Sequence, residues 1–160
     1  MKYNNANIRR QDRLLNEELA LVLLKQGEYG VLSIRSENDG VYAVPISYAW
    51  DGNQYIYLHG ATIGRKLSCI DLYNQVSFCV VGKTQVISNK FTTEYESIIL
   101  DCFAERNLPK NEQMNALQLL LDKYSPSDKI VGIEYAKKSF HRTEIIRLNI
   151  IKWSGKCKNI

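Results

Sequence analysis

The sequence predicts a mainly β domain, a small six-stranded barrel with flanking helices. Three observations predict it. Six apolar segments have the length and alternation of strands, only one connection is an obvious tight hairpin, and the helical segments do not alternate with the strands one for one. A doubly wound α/β sheet is disfavoured, because no G-x-G-x-x-G follows a strand.

The first helix spans Asn16 to Gln26. Asn16 caps it, Glu17 and Glu18 suit its positive end, Gly27 closes it, and Leu19, Val22 and Leu23 are spaced to cover a core face. Tyr29 to Arg35 is the first strand and Val41 to Trp50 the second. The second carries Tyr42, Val44, Ile46, Tyr48 and Trp50 on one face, and Val41, Ala43, Pro45, Ser47 and Ala49 on the other. The smaller face admits a flat ligand close to the backbone or packs against another strand. Pro45 removes a ladder donor, which makes the strand irregular or places it at an edge. Asp51-Gly52 turns the chain into the third strand, Gln54 to His59.

A short helix over about Gly64 to Tyr73 has Leu67, Ile70 and Tyr73 as its inner stripe. Gln75 to Val81 and Tyr95 to Arg106 are the fourth and fifth strands. Pro109 takes the first position of a longer helix, whose inner face is Met114, Leu117, Leu121 and Tyr124 and which Ser125-Pro126 stops. Glu144 to Trp153 is the sixth strand.

With 160 residues, 45% hydrophobic and 24% charged, the chain reads as a single domain over 1–160, its core at about 9–158. No apolar run reaches the roughly 20 residues that a helical membrane span needs, and the polar start lacks a signal peptide's apolar stretch, so a cytoplasmic protein without a membrane partner is expected. The net charge of +4 does not point to nucleic acid. Tyr55 and Tyr57 with Arg65 and Lys66 make only a weak likeness to a base-stacking surface, and no nucleic-acid partner is expected. Cys69, Cys79 and Cys102 sit in apolar segments and read as core. With two histidines and no C-x-x-C, there is no zinc spacing and no metal is expected.

The strongest local signal is His59-Gly60-Ala61-Thr62-Ile63-Gly64-Arg65-Lys66-Leu67. A strand ends, a glycine turn follows, and a helix opens on two cations, at the end where cations are unfavourable. A phosphate reverses that sign: backbone N–H groups, the Thr62 hydroxyl, Arg65 and Lys66 together make an anion cradle. The plainer alternative is two solvated basic residues. His59 suits either an acid/base or a structural hydrogen bond. No nucleophile motif surrounds it, which favours a cofactor carrying the chemistry.

Arg9-Arg10-Gln11-Asp12-Arg13, Val44-Pro45-Ile46-Ser47-Tyr48 and His59-Gly60-Ala61 with Gly64-Arg65-Lys66-Leu67 resemble the FMN-binding split-barrel superfamily. The nearest branch is the 5-nitroimidazole-resistance (Nim) type, related to pyridoxamine 5′-phosphate oxidase; Ile150 to Lys156 resembles its closing strand. The resemblance implies a six-stranded split barrel, a homodimer with FMN at the subunit interface, and reduction of a nitroaromatic or other small electrophile, with NAD(P)H as a possible electron donor. It implies that Arg65 and Lys66 take the phosphate with Thr62 near the ribityl chain. The Val44, Pro45, Ile46, Ser47 and Tyr48 backbone lies along the ring, with His59, Gly60 and Ala61 close by and His59 as the catalytic residue. Tyr95, Glu96 and Ser97 approach the flavin, and Trp153 takes an aromatic position near the dimer interface. A non-catalytic flavin- or haem-binding protein is the alternative on the same fold. Leu100, Asp101 and Cys102 stand where the family usually carries glycines, and the arginine–tryptophan motif of true pyridoxamine phosphate oxidases is missing, which argues against vitamin B6 oxidation.

Overall fold

A computed structural model describes every residue except Asp39. The elements are β1 (Lys2–Tyr3), α1 (Glu17–Gln26), β2 (Gly30–Arg35), β3 (Val41–Ile46), β4 (Tyr48–Trp50), β5 (Tyr55–Ala61), α2 (Arg65–Leu72), β6 (Gln75–Ile87), β7 (Thr92–Glu105), α3 (Lys110–Tyr124), α4 (Lys129–Ser139) and β8 (Thr143–Lys158). No helix among the described residues is long and apolar enough to cross a membrane.

The described strands form one eight-stranded sheet, in the order β3-β2-β6-β7-β8-β5-β4, with β1 added alongside β8. All pairings along that path are antiparallel; β1 alone pairs in parallel. The expected six strands are corrected to eight. One addition is the two-residue β1. The other comes from the expected strand Val41 to Trp50, which breaks at Ser47 into β3, paired with β2, and β4, paired with β5. These two strands occupy opposite edges of the sheet, yet one residue joins them. Two peptide units span only about 7 Å, so the sheet must curl until its edges nearly meet. The barrel closes at Ser47.

Alternation fixes what each strand buries. Ile56 and Leu58 of β5, and Ile146, Leu148 and Ile150 of β8, point into the barrel with Leu32, Phe78, Ile98 and Leu100. The outward residues Tyr57 and Ile145 make a second, smaller cluster with Leu108 and Ala116 beneath α3. Glu112 ties this layer together, accepting from Tyr57 Oη at 3.0 Å and from Arg147 Nη1 at 2.7 Å.

α1 begins as expected: Asn16 accepts from the Leu19 N–H and Gly27 closes the last turn on Leu23. Its core face is rotated, however. Ala20, Leu23 and Leu24 are buried, whereas Leu19 and Val22 face outward. Pro109 is the residue before α3 rather than its first position. Ala116 and Leu120 are the buried residues of α3; Met114, Leu117 and Leu121 are half-buried. Cys69 and Cys102 are buried, Cys79 is half-buried, and all four cysteines are free thiols.

Candidate functional site

The site begins where the barrel splits. β5 pairs with β4 only as far as Leu58 opposite Tyr48. On its other side it stays paired with β8 through His59, Gly60 and Ala61. Continuing the β4–β5 register sets Ser47 opposite His59, and from there β3 turns away to pair with β2. The edge of β5 at His59, Gly60 and Ala61 therefore opens onto a cleft, and Val44, Pro45, Ile46 and Ser47 form the diverging side.

The cleft ends at α2. Gly64 precedes the helix at φ 152°, a conformation that strains any residue with a Cβ. The helix has no side-chain cap and no acid in its first turn, which carries Arg65 and Lys66. Arg65 stacks its guanidinium 4.5 Å from the Tyr42 ring centre on β3. Lys66 folds back over Gly60, where a Cβ would stand 3.0 Å from its Nζ. The cations thus bridge the two sides of the split, and burial lowers the Lys66 pKa. Thr62 is exposed in the intervening turn. A guanidinium, an ammonium, a hydroxyl and helix-start N–H groups are the donors that a phosphate monoester requires.

His59 shares the outward face of β5 with Tyr55 and Tyr57, as alternation predicts. It differs from an unperturbed histidine in charge. Burial, and then the nearby Lys66 ammonium, lower its pKa, so the ring is an uncharged imidazole at neutral pH. A neutral ring donates and accepts hydrogen bonds but is not charged for proton donation at that pH.

His59 and Ser47 also line a cavity of about 640 Å³ between the strands and the α3–α4 pair. Sequence reasoning missed its far wall, because residues 129–139 were not read as a helix. Their apolar residues are the available signal, but Ile130, Val131 and Tyr135 are exposed in this chain and make no buried stripe.

The other expected site residues lie elsewhere in the chain. Tyr48 is fully buried; its hydroxyl donates to the Leu24 carbonyl at 2.7 Å, and only its backbone borders the split. Tyr95 and Glu96 line a separate groove with Lys83, and Ser97 is paired opposite Lys156 and Val81. Trp153 is sealed in the core against Tyr3, ring centres 4.7 Å apart.

A sequence model described as pyridoxamine 5′-phosphate oxidase matches residues 16–157. No curated protein matches the sequence. Among solved structures, a candidate 5-nitroimidazole antibiotic resistance protein from Bacteroides thetaiotaomicron aligns with TM-score 0.73 at 14% identity, over 91% of this chain and 86% of that one. An FAD-binding protein from Mesorhizobium loti aligns with TM-score 0.66 at 19% identity, over 92% and 98%. An FAD and haem binding protein from Mycobacterium smegmatis aligns with TM-score 0.70 at 18% identity, over 92% and 74%. At these identities the structures share a fold.

Proposed function

The chain belongs to the pyridoxamine 5′-phosphate oxidase family, and from that premise we propose that it is a homodimeric FMN-binding oxidoreductase. Its substrates on this reading are small electrophiles of the nitroaromatic, 5-nitroimidazole-like class. The observation that carries the reading is the split itself: the open edge of β5 at His59, Gly60 and Ala61 faces β3 and ends at the cation-bearing start of α2. The donor chemistry there fits a flavin phosphate, and no acidic residue in the first turn of α2 opposes it.

When bound, the flavin supplies the electron or hydride transfer that the side chains cannot. The chain's own residues bind and orient. Arg65, Lys66 and Thr62 hold the phosphate. The Val44-to-Tyr48 backbone, with Gly60 and Ala61, bounds the ring site. The neutral His59 ring orients the substrate by donating a hydrogen bond through its ring N–H. NAD(P)H is the reductant on this reading.

The dimer rests on two observations. Tyr95, Glu96 and Ser97 lie apart from the split within one chain, so a second copy must supply them if they approach the flavin. Leu19, Val22, Tyr29 and Val81 are exposed along one groove, with Val86 and Phe91 exposed on the β6–β7 hairpin. Apolar surface of that kind favours a covering partner.

An absorption spectrum of the purified full chain, followed by mass spectrometry of the released cofactor, tests the proposal. Flavin bands and the mass of FMN are expected, with NAD(P)H oxidation that depends on an added nitro compound. A colourless protein that takes up no FMN overturns it. The FAD and haem binding neighbour favours a second reading, cofactor binding without turnover. Coloured protein with no nitro-dependent oxidation would select that reading.

A further inference from the structure

The α3–α4 pair is the excursion of the chain between β7 and β8, and it roofs a cavity that His59 and Ser47 help to line. We propose that this cavity is the substrate chamber, and that it selects an uncharged aromatic molecule over the carboxylate of the same ring. The proposal deepens the flavin reading and rests on it for the reacting partner.

Size is the first argument. About 640 Å³ lies within the roughly 300–1,000 Å³ of small-molecule sites. The walls are the second. Leu117, Leu120 and Leu121 come from α3, and Val131, Tyr135 and Ala136 from α4. A ligand buried among them gains by removing apolar surface from water, and tyrosine rings add favourable aromatic contacts.

The polar groups decide the charge. Ser139 Oγ already donates to the Tyr135 carbonyl at 2.9 Å, and Thr143 Oγ1 to the Ser139 carbonyl at 3.0 Å. The Tyr124 hydroxyl is engaged with Tyr48 and Glu28. His59, Ser47, the Ser125 and Tyr135 hydroxyls and the exposed Asp128 are left to meet a ligand. Among the described residues no lysine or arginine lines the chamber, and the His59 ring is uncharged at neutral pH. A carboxylate entering here finds no cation on the walls, because Lys66 beside His59 is taken by the phosphate on the flavin reading; it loses its hydration and faces the Asp128 charge. A neutral ring with a polar substituent finds apolar walls and uncharged hydrogen-bonding groups.

4-Nitrobenzyl alcohol and 4-nitrobenzoate share a ring and differ in charge. Titrating each into FMN-supplemented full-length protein, read by ligand-observed NMR, gives their Kd values. The alcohol is expected to bind at least tenfold more tightly. Ala136→Phe fills the chamber, and Val131→Trp obstructs it from an exposed position that tolerates a larger side chain. Each should weaken binding of the alcohol at least tenfold with FMN content unchanged. Equal or tighter binding of the benzoate overturns the charge selection. Undiminished binding to both folded variants, confirmed by their circular dichroism, overturns the site. If the wild-type chain retains no FMN but Val131→Trp still abolishes alcohol binding, the flavin reading fails and the chamber stands.

Discussion

The Tyr124 hydroxyl lies 3.0 Å from the amide nitrogen and 2.9 Å from the carbonyl oxygen of Tyr48. It accepts from that N–H and shares its single proton between the Tyr48 carbonyl and that of Glu28 at 2.5 Å. Tyr48 is the first residue after the split. The last residue of α3 therefore pins the corner at which the barrel closes, and couples the helical roof to the cleft.

Tyr124→Phe keeps the ring and removes the pin. A Tyr48 N–H left without its partner costs about 1–3 kcal/mol. Urea unfolding should show a lower midpoint with an unchanged slope. An unchanged midpoint would mean that the corner is held by other contacts.

Arg65→Ala and Lys66→Ala should each weaken FMN binding while the fold survives. Arg65 is exposed and Lys66 half-buried, so neither loss opens the core. A hydrogen bond to a charged group is worth about 1.5–3 kcal/mol, which is roughly ten- to more than a hundredfold in Kd. Fluorescence titration of the stripped protein with FMN measures it. Wild-type affinity in the double variant would remove the phosphate role.

The phosphate-type motif was legible because its residues are contiguous: His59 to Leu67 encode a strand end, a glycine turn and a charged helix start in one stretch. The break at Ser47 was not. Alternation runs unbroken from Tyr42 through Tyr48, and what changes is the pairing partner, which only closure of the whole sheet decides. The outward turn of Leu19 and Val22 was hidden for a related reason, since α1 carries apolar residues on more than one face. The chamber was illegible because it joins β5 to α4, about seventy positions later, and α4 buries only the small residues Ala136 and Ser139.

Lys123 gives a pH-dependent prediction. Its ammonium lies 3.6 Å from the Tyr48 ring centre, buried and without a hydrogen-bond partner. Burial lowers its pKa from 10.5 to about 8. Below pH 8 the lysine is charged in both folded and unfolded chains, and the cost of burying that charge is complete. Between about 8 and 10.5 the unfolded chain binds more protons, so this residue makes stability rise with pH. Lys123→Met should erase that rise. At pH 7 it should stabilise the protein by about 1 kcal/mol, after allowing for solvent screening and for the lost cation–π contact. Urea melts of both proteins at pH 7 and pH 10 measure the difference. A variant that keeps the wild-type pH slope would show that Lys123 is not its source.

His59 gives the prediction closest to the chemistry. Its folded-state pKa is lowered, so the uncharged ring is the resident form at neutral pH. If that form orients the substrate, activity holds from pH 7 to about 8, and falls as acidification charges the ring, below the ordinary value of 6.5. An imidazolium donor would give the opposite profile, with activity lost as pH rises. Unfolding has a matching sign. The unfolded histidine takes up its proton first, so as pH falls below 6.5 His59 lowers stability until the folded ring is protonated too. His59→Ala should retain FMN and lose turnover by roughly two- to tenfold, the worth of one neutral hydrogen bond of about 0.5–1.5 kcal/mol. His59→Gln, which keeps a hydrogen-bonding end, should recover part of that loss if orientation is the role. His141 is exposed in a 3₁₀ turn, and its alanine variant should match wild type. Full turnover in His59→Ala would leave the cleft to a flavin working without it; wild-type activity that declines through pH 6.5 to 8 would restore the imidazolium donor.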